Sequence, residues 1–191
     1  MSISPILLDI AEKFETERLI IRSPLWGDGA VINSAICESI EELRPWMPWA
    51  QQIPTIEQSE ENVRVARLKF LERSDLRLHL FYKETGEFIG GSGLHRIDWT
   101  ARKFEIGYWI RTSQSGKGLM TEAIDGITHF AIHQLSANRI EIRCDSNNIR
   151  SERIAERLGF TLEGILRSDI RDITGILRDT LVFAKVRGQE F

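Results

Sequence analysis

The sequence predicts an α/β fold: a mixed sheet of about seven strands flanked by helices, in a single domain over residues 1–191. Three features of the chain lead to it. Runs such as Arg139-Ile140-Glu141-Ile142-Arg143-Cys144-Asp145 alternate apolar and polar residues with the period of a half-buried strand. Other segments place apolar residues at helical spacing, as at Val63, Ala66 and Phe70 among charges. In the middle of the chain one strand, Phe104–Ile110, runs through a glycine-containing turn straight into an amphipathic helix.

Taken in order, Thr16–Arg22 is the first expected strand, ended at Pro24, and a short helix is expected over residues 27–38. Leu43-Arg44-Pro45-Trp46-Met47-Pro48-Trp49 holds two prolines and cannot be one regular helix. Ile56–Glu72 is a second helix, with Val63, Ala66, Phe70 and Leu71 available to face inward. Leu78–Tyr82 and Phe88–His95 form a hairpin across Glu84-Thr85-Gly86-Glu87. The cluster Gly90-Gly91-Ser92-Gly93 inside that second strand marks close backbone contact or a bulge. After strand 104–110 comes a helix over 117–134, with Leu119, Ala123, Ile127 and Phe130 recurring beside Met120, Ile124 and Ala131. Strand 139–145 follows, then a helix capped by Asn148 and stopped at Gly159. Phe160–Ile170 and Leu177–Val186 close the chain as two strands around an Asp172/Thr174/Gly175 turn.

Composition narrows the function classes. With 191 residues, 42% hydrophobic and 28% charged, the chain reads as a globular protein able to bury a substantial core. No apolar run approaches a membrane span, and Asp9, Glu12 and Lys13 interrupt any signal-peptide pattern. Two cysteines, Cys37 and Cys144, without close spacing fit reduced thiols and a cytoplasmic setting. A net charge of −3 argues against a nucleic-acid surface. His129 and His133 lie one helical turn apart, but no Cys or Glu completes a metal constellation, so no metal is expected.

The segment Ser113-Gln114-Ser115-Gly116-Lys117-Gly118-Leu119-Met120-Thr121-Glu122-Ala123 carries the most chemical information. Glycines let backbone approach a ligand closely, and the amides of a first helical turn have no partner inside the helix. With the positive end of the helix dipole, they make a site for phosphate groups. A Walker A loop, G-x-x-x-x-G-K-S/T, does not fit, because Lys117 stands between the glycines. A dinucleotide fingerprint, G-x-G-x-x-G, fails at Thr121.

What remains resembles the acetyl-coenzyme A loop of the GCN5-related N-acetyltransferases, whose pattern Q/R-x-x-G-x-G/A falls on Ser113, Gly116 and Gly118. Ser113 departs from Gln or Arg, with Gln114 adjacent. Further segments are similar to the RimJ/RimL branch, whose named members acetylate N-termini of ribosomal proteins. They are Glu15-Thr16-Glu17-Arg18-Leu19, the Leu43–Trp49 run, Phe104–Ile110, Gly116–Ala123, and Asn148-Ile149-Arg150-Ser151 leading to Leu158-Gly159-Phe160. The resemblance spans residues 15–187 in consistent order. It implies the GNAT fold, mostly antiparallel and splayed between strands 104–110 and 139–145. It also implies acetyl-coenzyme A as cosubstrate and direct transfer to a primary amine. The favoured acceptor is a protein N-terminal α-amine; the rivals are a small amine (polyamine, amino sugar or antibiotic) and a non-catalytic coenzyme A-binding protein. Relatives often form homodimers.

Acetyl transfer must deprotonate the amine, polarise the thioester carbonyl and protonate the leaving thiolate. Glu105, alternating with Gly107 and Trp109, is the candidate base, and the resemblance supports it. Tyr108, Trp109 and Ile110 are expected beside the acyl-pantetheine arm, and Gln114, Ser115, Gly116, Lys117, Gly118, Leu119 and Met120 around the pyrophosphate. Asn148 is expected to bond the pantetheine by resemblance, or to cap its helix. Many acetyltransferases carry a Tyr where this chain has Ala155; RimL-like members use a Ser one turn earlier, here Ser151, as the acid. Helix capping is the competing role for that serine. Trp46 and Trp49 are expected to border the acceptor site. Asp169, Asp172 and Asp179 are the acids available near the terminal hairpin, where RimL-like proteins carry a catalytic Glu that this chain lacks.

Overall fold

The computed structural model describes residues 4–191. In chain order it contains β1 (Lys13–Glu15), β2 (Leu19–Arg22), α1 (Gly29–Leu43), α2 (Ile56–Glu72), β3 (Leu76–Tyr82), β4 (Phe88–Asp98) and β5 (Lys103–Ile110). Then follow α3 (Leu119–His133), β6 (Arg139–Asp145), α4 (Ile149–Arg157), β7 (Thr161–Arg171) and β8 (Leu177–Val186). The strands form one sheet in the order β1-β2-β3-β4-β5-β6-β8-β7. Every neighbouring pair is antiparallel except β5–β6.

Eight strands stand where about seven are expected, and the extra one is β1. Three residues show no period, and what holds β1 is a distant contact: the Phe14 ring stacks on Phe130 of α3 with centroids 4.5 Å apart. The first helix begins later and runs further than residues 27–38, because Ile40 and Leu43 extend its buried face. It ends just before Pro45, and Pro48–Gln51 forms a separate 3-10 turn, so the two prolines do break the segment. Helix α2 has the expected bounds. Thr55 and Gln58 form a reciprocal capping box at its start, and Arg73 ends it in a left-handed conformation at φ 63°. Val63, Ala66 and Phe70 of α2 are buried, but Leu71 is 41% exposed. One residue past Phe70 lies about 100° around the helix, off the apolar stripe.

The sheet separates two environments. Leu76, Leu78 and Leu80 of β3, Leu94 of β4, and Phe104 and Ile106 of β5 are buried in one cluster with Leu119, Ala123, Ile124 and Ile127 of α3. On the opposite face, α1 and α2 supply Ile32, Ile36, Ile40 and Val63 to a smaller cluster with Phe88, against which Phe81 and Trp109 pack.

The feature that positions the site is a wedge in the sheet. β5 and β6 pair only from Lys103–Ile106 to Arg139–Ile142. Beyond that, β5 stays with β4 as far as Ile110, while β6 stays with β8 as far as Asp145. The strands therefore splay where the family resemblance implies.

Candidate active site

The loop between β5 and α3 builds an anion cradle. Gly116 and Gly118 adopt φ of 78° and 76°, the left-handed region that favours glycine. A side chain at Gly116 would meet nothing within 4 Å, so the concave side of the loop is open. The amides of residues 116–121 have no acceptor among the described residues; the first helical bond runs from Glu122 N–H to the Gly118 carbonyl. Such unsatisfied amides at the positive end of a 15-residue helix suit a pyrophosphate.

Distant residues brace that loop. Arg18 donates from Nε to Glu122 at 2.6 Å and from Nη1 to the Lys117 carbonyl at 3.1 Å, and Thr16 Oγ1 donates to Glu122 at 2.5 Å. Burial alone would raise the Glu122 carboxyl, but these donors hold it below the usual carboxylate range. On the other side, Glu38 accepts from Arg111 Nε and the Ser113 amide, and Ser39 Oγ accepts from the Thr112 amide. Gln114 is part of this scaffold: its amide donates to Glu87 at 2.9 Å and its oxygen accepts from Lys117 Nζ at 2.8 Å.

Within the wedge, Ser151 and Tyr108 meet. Tyr108 Oη lies 2.8 Å from Ser151 Oγ and donates to the Ser151 carbonyl at 3.1 Å. Asn148 occupies the N-cap of α4 and accepts from the Ser151 amide, so the Ser151 hydroxyl is not used as a cap. Burial drives the Tyr108 phenol well above its ordinary range, keeping it protonated. Burial also pushes the neighbouring Cys144 thiol up to about 11, against a lowering hydrogen bond from Ser151. Ala155 of α4 is fully buried. The phenol beside Ser151 comes from strand β5.

One cavity of 1680 Å³ joins the wedge to a second chamber beneath α1 and α2. Its floor is stripped of side chains at Gly91, Gly93 and Gly107, which the ladder places beside His79, Arg77 and each other. A Cβ on Gly91 would lie 2.7 Å from Trp109 Nε1, and one on Gly93 would lie 2.8 Å from His95 Cε1. The glycine cluster thus lets the Trp109 and His95 rings lie down on the sheet, and a Cβ on Gly90 would come closer still to the Trp109 carbonyl. Glu105 stands at one end of the floor, directly opposite His95 in the ladder, with Arg96 Nη1 3.3 Å from its carboxylate. Trp49 packs edge-on to Trp109 at 5.8 Å, and Trp46 also lines the chamber. Every sequence-predicted site residue except Gln114 and Lys117 borders this cavity, and those two belong to the bracing of its loop.

Of the three acids near the terminal hairpin, two are already engaged. Asp172 accepts from Thr174 and Arg178, which lowers its carboxyl to about 2, and Asp179 accepts from the Ser168 amide. Asp169 borders the cavity with only Arg143 Nη2 beside it, at 3.3 Å. Sequence reasoning missed the Tyr108 hydroxyl and the pairing of His95 Nδ1 with Asp75 at 2.7 Å. The glycine row was the available signal for the second, since bare backbone invites a ring to cover it. Among the described residues, no group of three His, Cys, Asp or Glu side chains is placed to hold a metal, and no helix is long and apolar enough to cross a membrane.

Residues 18–161 match the family model described as an acetyltransferase (GNAT) domain. The chain is 27% identical over 172 residues to the putative ribosomal N-acetyltransferase YdaF of Bacillus subtilis (strain 168), covering 90% of this chain and 92% of that protein. It is 29% identical over 132 residues to the ribosomal-protein-serine acetyltransferase of Escherichia coli (strain K12), covering 69% and 73%. Its fold matches that of RimL, a ribosomal alpha-N-protein acetyltransferase in complex with coenzyme A. The TM-score is 0.86 at 20% identity, over 92% of this chain and 98% of that one. The chain belongs to the GNAT family of acetyl-coenzyme A-dependent N-acetyltransferases.

Proposed function

We propose that this GNAT acetyltransferase moves the acetyl group directly to the N-terminal α-amine of a protein, with ribosomal proteins the first acceptors to try. The observation that carries direct transfer is the continuity of the cavity. It joins the anion cradle at Gly116–Thr121 to the chamber holding Glu105, so donor and acceptor can meet in the wedge. Neither cysteine suits an acyl carrier: Cys37 lies exposed on α1, and Cys144 holds its proton too tightly to attack. The α-amine reading is supported by the names of the relatives, two of which act on ribosomal proteins by their titles. Such an acceptor places the reaction in the cytoplasm.

The chain supplies each chemical requirement from a different element. Residues 116–121 hold the pyrophosphate. The backbone groups of Gly107–Ile110 that face away from β4 have no ladder partner, and they receive the pantetheine amides and the thioester carbonyl. Ser151, backed by Tyr108, delivers a proton to the leaving sulfur. Glu105 draws the ammonium form of the acceptor to the chamber floor and accepts its proton. Trp46 and Trp49 wall the chamber against water.

Thiol release from acetyl-coenzyme A, measured with peptides beginning Ser, Ala, Met and Asp alongside spermidine and an aminoglycoside, tests this reading. Turnover is expected with a subset of the peptides. Turnover confined to a small amine overturns the protein acceptor, and none with any amine beside tight coenzyme A binding overturns catalysis.

A further inference from the structure

An α-ammonium must give up a proton before it can attack a thioester, and imidazole is the side chain most often used to carry one in acid–base catalysis. Glu105 attracts the ammonium, and a second group can carry the proton onward. His95 faces Glu105 across the β4–β5 ladder, and both border the acceptor chamber.

The orientation of the His95 ring is set on three sides. Its Nδ1 lies 2.7 Å from Asp75 Oδ2, in the ladder position next to the Leu76–Leu94 pair. Cε1 lies over Gly93, 2.8 Å from where a Cβ would stand. Cδ2 and Nε2 lie over Gly107, at 3.2 and 3.5 Å from its would-be Cβ. With Nδ1–H donated to Asp75, the Nε2 lone pair is turned toward the chamber, and it has no partner among the described residues. The charged groups facing the ring are Asp75 just before β3, Arg77 on β3, Arg96 on β4 and Glu105 on β5. From α2, Asn62 faces in and accepts from Arg77.

We propose that the Asp75–His95 pair is the proton sink of the acetyl transfer, with His95 catalytic and Asp75 a positioning residue. Two protons leave an ammonium acceptor as its C–N bond forms and the C–S bond breaks. One ends on the departing sulfur by way of Ser151 and Tyr108. The other passes from Glu105 by way of chamber water to His95 Nε2, because the two side chains share a ladder position without hydrogen-bonding to each other, and from there to solvent. Asp75 fixes the tautomer and stabilises the imidazolium. The assignment rests on the acceptor-side role given to Glu105 above.

The test is kcat/KM against pH, from about pH 5 to about pH 9, with the fastest acceptor of the amine panel, together with coenzyme A affinity and melting temperature. Wild type should show an acid limb, a fall in kcat/KM as the pH drops. His95→Gln should lower kcat/KM at neutral pH by roughly a hundredfold and abolish that limb, with coenzyme A affinity unchanged. Free imidazole should partly restore His95→Ala. Asp75→Asn should alter the pH profile and lower kcat/KM with coenzyme A affinity unchanged, because the ring loses the carboxylate that fixes its tautomer. A wild-type limb in His95→Gln overturns the proton sink, and if Glu105→Gln is then slow at neutral pH, Glu105 keeps its role alone. Loss of the limb in His95→Gln beside a full-speed Glu105→Gln supports His95 as direct base and removes Glu105 from the route.

Discussion

Ser151 lies in the first turn of α4, where serines commonly cap, yet Asn148 holds the cap and Ser151 turns its hydroxyl to Tyr108 Oη at 2.8 Å. Of the two roles that sequence leaves open for this serine, the cap therefore belongs to Asn148. Ser151→Ala removes the hydroxyl but keeps the amide that Asn148 accepts. Stability should change by no more than about 0.5 kcal/mol. Turnover should fall by tenfold or more, with coenzyme A affinity retained. A variant with normal kcat and a lowered melting temperature would return Ser151 to a purely structural part. The serine is legible through the family resemblance that Asn148–Ser151 and Leu158-Gly159-Phe160 carry. Its phenolic partner is not, because Tyr108 lies 43 residues away and meets it only where β5 passes α4.

At the scale of elements, the loop and helix α3 behave as one device. The glycines free six amides, and Arg18 and Glu122 clamp the backbone that presents them. Gly118 tests it: its φ of 76° costs an alanine roughly 1–2 kcal/mol, while the nearest atom to the new Cβ, Arg18 Nη2 at 3.6 Å, is at ordinary contact. Gly118→Ala should bind coenzyme A at least tenfold more weakly, because the loop relaxes away from the geometry that aims its amides. Calorimetric titration with coenzyme A checks this, and wild-type affinity would mean the amides at this turn do not hold the pyrophosphate. Strand–turn–helix order reveals the loop in the sequence. The clamp is invisible there, since Thr16 and Arg18 lie more than 100 residues before Glu122.

Across the whole molecule, a buried ion cluster ties α1 to the sheet beside the second chamber of the cavity. Asp28, next to the start of α1, accepts from Arg22 of β2 at 2.7 and 2.8 Å and from the Leu25 amide, and lies 2.9 Å from His79 Nδ1 of β3. Burial alone would raise the Asp28 carboxyl, but His79, Arg22 and Leu25 hold it far below the carboxylate range. Burial pushes the His79 imidazole down despite Asp28. Both shifts have the same sign for stability. The unfolded imidazole gains its proton below about pH 6.5 and the unfolded carboxylate below about pH 3.9, each before its folded counterpart. The protein should therefore lose stability on acidification, in a first step through the histidine range and a steeper one below about pH 4. Asp28→Asn should cost about 3 kcal/mol at neutral pH, by leaving Arg22 and His79 without their carboxylate, and should flatten the lower step. Urea melts between about pH 3 and about pH 8 measure both, and a mutant curve parallel to wild type would rule out the cluster as the source. At this scale the division between sequence and structure is clear. Sequence by itself determined most of the elements and the glycine loop before α3, because period, glycine placement and capping are local properties of the chain; the wedge and the candidates Glu105 and Ser151 came with the family resemblance that those motifs carry. Tertiary structure alone decided that β1 exists, that Tyr108 backs Ser151, and that His95 lies over bare glycine with Asp75 behind it. Those outcomes depend on which strands become neighbours, and neighbours in a sheet are set by long-range packing that no local pattern encodes.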